Sequence, residues 1–68
     1  MISVNSSNIA AVDYNEQQHI LTVMFCRGGT YLYYDVPKEV YIGLLEAASK
    51  GTYHKNNIKY SYRYERIG

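Results

Sequence analysis

The run Ile20–Cys26 (Ile-Leu-Thr-Val-Met-Phe-Cys), the turn Arg27-Gly28-Gly29 and the run Thr30–Val36 (Thr-Tyr-Leu-Tyr-Tyr-Asp-Val) constrain the fold more than any other stretch. Both runs are dense in β-branched and aromatic side chains, which suit a pleated, half-buried surface. The glycine pair between them supplies turn conformations that other residues resist. They read as an antiparallel hairpin whose register depends on the turn. A two-residue loop would set Phe25 opposite Leu32 and Val23 opposite Tyr34. A three-residue loop with a left-handed glycine and a bulge would pair Phe25 with Tyr31 and Val23 with Tyr33. The second choice gathers Leu21, Val23, Phe25, Tyr31 and Tyr33 on one face and is the expected one. A slip of one residue would turn each of those side chains over.

Around this hairpin, Ile9–Tyr14 reads as a further short strand, joined to it by the polar break Asn15–His19. Met1–Asn8 is a polar lead-in whose Asn5-Ser6-Ser7-Asn8 is turn-like. Pro37 at a first-turn position, followed by Glu39, opens a helix, because the missing N–H of proline costs nothing there. Val40, Leu44 and Ala47, flanked by Tyr41, Leu45 and Ala48, form the stripe that lies on the sheet. Gly43 costs about 1 kcal/mol against alanine in such a helix, and close packing on a strand would explain its presence. Gly51 is a natural stop, with Lys50 placed for the helix's negative end. Thr52–Ile58 is expected to form one short helical turn, with Lys55 and Asn56 outward and Tyr53 and Ile58 packed. Tyr60–Tyr64 alternates with period two, as an extra edge strand or an ordered arm along the helix would. The expected fold is α+β, one domain over residues 1–68: a three-stranded antiparallel meander packed by one helix, ending in a basic, aromatic segment.

The net charge of +1 hides a polarised chain. From Ser49 onward lie five of the seven basic residues (Lys50, Lys55, Lys59, Arg63 and Arg66) against the single acid Glu65. Four of the nine tyrosines (Tyr53, Tyr60, Tyr62 and Tyr64) are interspersed with them. A chain of 68 residues has room for one core only. Domains of this size bury about 60 % of their unfolded surface and are marginal unless stapled. The lone cysteine, Cys26, excludes an intramolecular disulfide and any multi-thiolate zinc site, and it fits a reducing compartment. Self-association, as a homodimer or a higher homo-oligomer, is the remaining way to add buried area. No apolar run approaches the roughly 18 residues of a membrane span. The N-terminus also lacks a basic-then-apolar secretion layout. The expectation is a soluble protein of the cytoplasm (the host's, if phage-encoded) with no membrane partner.

Catalytic chemistry finds little support. Cys26 as a nucleophile would need His19 or His54 within hydrogen-bond reach, and neither has motif context. Those histidines are far apart in sequence and bring no companion metal ligands. Glu39 and Glu46 share a helix face that is ordinarily a solvated surface. Gly28-Gly29 precedes a strand, so it is a hairpin turn and not a phosphate loop. No catalytic residue, metal or cofactor is expected, and the chain reads as a non-enzyme.

Gly28-Gly29-Thr30-Tyr31-Leu32-Tyr33, then Val36-Pro37 and a helix, then Ser49-Lys50-Gly51-x-Tyr53-x-x-x-Asn57-Ile58, resembles the KTSC domain. That small domain is named for its place at the C-terminus of some lysyl-tRNA synthetases and also occurs alone in bacterial and phage proteins. Tyr31-Leu32-Tyr33 matches its Y-x-Y, and the Ser-Lys-Gly-x-aromatic segment matches its second block. Tyr62, Tyr64, Arg66 and Ile67 match its closing aromatic, aromatic, Arg and Leu. The resemblance runs from about Ser7 to Ile67. Arg63 stands where a proline is common and Tyr60 where a small residue is frequent; both departures make the tail more cationic and aromatic. The resemblance implies the fold and, through the synthetase context, RNA binding.

Two physical readings of the tail remain open. Cations neutralise phosphates, and tyrosines stack on unpaired bases for about 1–3 kcal/mol each. On that reading Lys50, Lys55, Lys59, Arg63 and Arg66 hold a nucleic acid, most naturally RNA, and Tyr62 or Tyr64 stacks. On the other, the rings pack on the sheet and the cations solubilise an edge strand. Tyr31 and Tyr33 are assigned to the core. A different class of function also fits a Tyr- and Arg-rich surface. It is a protein-binding inhibitor of the phage anti-defence type, or an oligomer that sequesters a nucleotide.

Overall fold

The computed structural model describes residues Met1–Gly68. Its elements are β1 (Ile2–Ser3), β2 (Ile9–Asn15), β3 (Ile20–Phe25), β4 (Gly29–Tyr33), α1 (Lys38–Glu46), α2 (Lys50–Asn57) and β5 (Tyr64–Arg66). The strands form one five-stranded antiparallel sheet in the order β1-β2-β3-β4-β5, so every neighbour in space is the next strand in sequence. The expected meander is present as β2-β3-β4, but the sheet has five strands rather than three and carries two helices rather than one. β1 escapes a sequence reading because it is two residues long. β5 is the edge strand expected of the tail, displaced toward the C-terminus.

The hairpin register is two residues away from expectation. Cys26–Gly28 form the turn, Phe25 pairs with Gly29, Val23 with Tyr31 and Leu21 with Tyr33. A two-residue shift preserves the side-chain period, so Leu21, Val23, Phe25, Tyr31 and Tyr33 still share one face. Phe25 and Tyr31 meet edge-on with ring centroids 5.7 Å apart. Gly29 carries φ +88°, and a Cβ there would strike the Gly68 carbonyl and the Arg66 side chain. The three-residue turn and its left-handed glycine are as expected, and the second glycine serves both the backbone that closes the turn and the close approach of the tail.

Leu21, Val23 and Tyr33 from the sheet pack with Val36, Leu44 and Ile58 in one fully or nearly dry core. Tyr14 donates from its hydroxyl to the Val36 carbonyl at 2.6 Å and stacks on Tyr41 of α1 at 5.0 Å, fastening α1 to the β2 end of the sheet. Asp13, Met24 and Glu65 are exposed on the opposite face.

The helical region differs most from expectation. α1 stops at Glu46, Ala47 is extended (ψ 138°), and Ser49 caps a second helix by accepting from the Thr52 N–H at 3.3 Å. Lys50 and Gly51 thus open a helix instead of closing one. A serine followed by a helix is an N-cap signal, but a glycine two residues later argues locally for a stop. Lys50 still reaches the end of α1, donating from Nζ to the Ala47 carbonyl at 3.0 Å. Gly43 faces the phenol of Tyr53, which a Cβ would strike. The glycine permits close packing of α1 on α2, not on a strand.

Candidate nucleic-acid interface

Alternation along β4 sends Tyr31 and Tyr33 to the helix side of the sheet. Register brings Tyr64 of β5 opposite Tyr33. Ring centroids of Tyr64 lie 5.9 Å from Tyr31 and 6.1 Å from Tyr33. On α2, His54 precedes the buried Ile58 by four residues and so shares its inward face. His54 is 5 % exposed, and its imidazole sits edge-on to Phe25 at 5.0 Å.

These elements enclose a cleft of about 420 Å³ between the β4–β5 end of the sheet and α2. Phe25, Tyr31, Tyr33 and His54 give it an aromatic interior, Tyr64 adds a half-exposed ring, and Lys55, Lys59 and Tyr60 line it with largely exposed side chains. No carboxylate lines it. A second groove of about 500 Å³ adjoins it, sharing Asn8, Gly51 and Lys55. Its lining is hydroxyl- and amide-rich (Ser6, Ser7, Ser49 and Thr52 among others) with Lys50, and it too is free of carboxylates.

Inside the cleft the Tyr33 hydroxyl lies 2.7 Å from His54 Nε2. Burial, and then the phenols of Tyr31 and Tyr64, push the Tyr33 pKa up to about 12. Burial, and then the Lys59 ammonium, hold His54 below the ordinary histidine value. Both partners are therefore neutral near pH 7. The hydroxyl and Nε2 are joined by a hydrogen bond whose direction is set by the imidazole tautomer. No buried side-chain polar atom lacks a hydrogen-bond partner.

The depressed His54 value makes stability depend on pH in a definite sense. Above the unfolded-state pKa of about 6.5 both states hold the ring neutral, and the full stability is present. As pH falls through that value the unfolded chain takes up a proton that the folded chain resists. Stability is then lost until the lower folded value is passed. Urea midpoints should fall as pH drops through about 6.5, and His54→Gln should flatten that dependence. An equal slope in the variant would place its origin elsewhere.

Of the residues expected to form the site, the structure brings Lys55, Lys59 and Tyr64 into the cleft and Lys50 into the adjoining groove. It does not bring the others there. Tyr62 is half-buried against the core, Arg63 lies over the Tyr34 ring at 4.7 Å, and Arg66 donates from Nε to the Gly68 carbonyl at 2.9 Å. Sequence reasoning missed Phe25, Tyr31, Tyr33, His54 and Tyr60 as lining residues. Tyr33 is a core residue as expected, yet it also lines the cleft, and Tyr31 is only half-buried. The readable signal for His54 was its four-residue spacing from Ile58. Cys26 is exposed, and the His54 hydrogen bond goes to Tyr33. No group of three or more His, Cys, Asp or Glu side chains converges, and no helix is long and apolar enough to cross a membrane.

The KTSC domain model matches residues 5–62. A protein of Tsukamurella paurometabola is 43 % identical over 63 residues, covering 93 % of this chain and 94 % of that protein. One of Stutzerimonas stutzeri is 40 % identical over 67 residues, covering 97 % and 94 %. The crystal structure of a KTSC domain protein from Yersinia pestis superposes with a TM-score of 0.94 at 32 % identity, over 97 % of this chain and 93 % of that one.

Proposed function

The chain belongs to the KTSC domain family, a family of small modules, and from that premise we propose that it is a non-enzymatic binding protein for RNA, engaging it at the cleft between α2 and β5. One observation carries this reading: an aromatic cleft without carboxylates, lined also by the exposed ammonium groups of Lys55 and Lys59. Ammonium groups meet phosphates, and tyrosine rings meet bases. The cytoplasm suits the protein, since Cys26 is exposed and a reducing milieu keeps it a free thiol.

Titration of a labelled RNA oligonucleotide by fluorescence anisotropy tests the proposal. Affinity should fall steeply between about 50 and about 200 mM salt, because each phosphate contact releases counterions. A module built for a protein partner would show negligible RNA affinity even at the lowest salt, and that result would remove the proposal.

A further inference from the structure

The cleft separates two chemistries within one concavity, and a nucleic acid separates them in the same way. Its interior is aromatic, with the Tyr33–His54 pair the polar element. Its cations, Lys55 and Lys59, are on exposed side chains. An aromatic interior rejects the charge of a phosphate, so a backbone alone would leave the cleft empty. Ring-lined sites also attract cationic ligands, but two lysines and no carboxylate oppose that occupant. A planar, uncharged ring bearing an anion at its margin satisfies both parts. The volume, about 420 Å³, falls within the roughly 300–1,000 Å³ of small-ligand pockets.

Two further observations narrow the occupant. Tyr60 is 81 % exposed and Tyr64 57 % exposed, and Tyr60 stacks on no other ring, its one ring contact being the Lys59 ammonium at 5.3 Å. Both tyrosines offer ring surface to a planar partner. The hydrogen-bonded Tyr33–His54 pair gives the aromatic lining a polar spot, and bases carry donors and acceptors along their edges.

We infer that the cleft takes one unpaired nucleobase, its face against Tyr60 and Tyr64 and its edge toward the Tyr33–His54 pair, with the flanking phosphates on Lys55 and Lys59. The inference rests on the RNA reading above and makes it more specific: the ligand is a single strand, since a base held in a duplex cannot enter. The adjoining groove, which Lys55 shares, lies where the strand continues.

The test compares three labelled ligands of equal length and charge per strand at low salt, using the full chain: oligouridylate, the same backbone with every base removed, and an RNA duplex. Oligouridylate should bind at least about 10-fold more tightly than the abasic strand, the lower range expected for base stacking on a tyrosine. The duplex should bind more weakly than oligouridylate. Tyr64→Ala should bring oligouridylate to the abasic level while leaving abasic affinity unchanged, and Tyr60→Ala supplies the same comparison should the first variant misfold. Equal binding of oligouridylate and abasic strand overturns base insertion but leaves RNA binding standing, as does preference for the duplex. Failure of all three ligands to bind overturns the RNA reading itself.

Discussion

Ile58→Ala should leave this protein close to half unfolded in the absence of denaturant. Ile58 is fully buried and belongs to the eight-residue core, at the C-cap of α2 with its N–H donating to the His54 carbonyl at 2.9 Å. Truncating such a side chain costs about 2–5 kcal/mol through lost transfer energy and the cavity left behind. A single core in a chain below about 70–80 residues rarely supplies more than about 3–5 kcal/mol in total. The loss is thus comparable to the whole stability. It acts where α2 is seated on the sheet, so His54, Lys55 and Lys59 lose their placement together. Urea denaturation followed by far-ultraviolet circular dichroism measures the effect. A loss below about 1 kcal/mol would mean that the site can relax around the cavity and that α2 is held by other contacts.

The second large effect concerns binding and divides the basic tail in two. Lys55→Glu/Lys59→Glu should lower RNA affinity by at least about 10-fold at low salt, and losing two phosphate contacts on a single strand should reduce the salt slope by about 1.4. Arg63→Ala/Arg66→Ala should change affinity by less than about 3-fold, the scale of screened, distant charge. Arg63 is committed to the Tyr34 ring and Arg66 to the Gly68 carbonyl. Anisotropy titrations of both double variants decide the matter, with circular dichroism confirming that each is folded. An equal loss in the two would return the interface to the whole tail and away from the cleft.

The contrast between these variants also shows what the sequence disclosed. Period-two alternation made Tyr31 and Tyr33 co-facial whatever the loop, so the face was legible even though the register was not. Gly29 was legible as a left-handed turn glycine, but not its second role, the close approach of the Gly68 carbonyl and Arg66 from the far end of the chain. No local pattern encodes such a contact. The second helix was legible as a short turn over Thr52–Ile58, but its start at Lys50 was obscured because Gly51, a stop signal read locally, sits behind a capping serine. Charge clustering along the chain marked the last third as the polarised part, but clustering in sequence is not convergence in space. α2 and the turn that follows it carry Lys55 and Lys59 to the cleft, whereas Arg63, just before β5, lies over the Tyr34 ring. His54 needed tertiary information only because its partner, Tyr33, lies 21 residues away.

β5 contributes Tyr64 to the cleft, yet it is three exposed residues at the rim of the sheet. Short peripheral segments with little buried surface open at far lower free energy than the core. One wall of the cleft therefore belongs to a part of the molecule that frays ahead of the rest. Whatever occupies the cleft against Tyr64 must hold that strand shut, and by linkage the closed strand must hold the occupant equally.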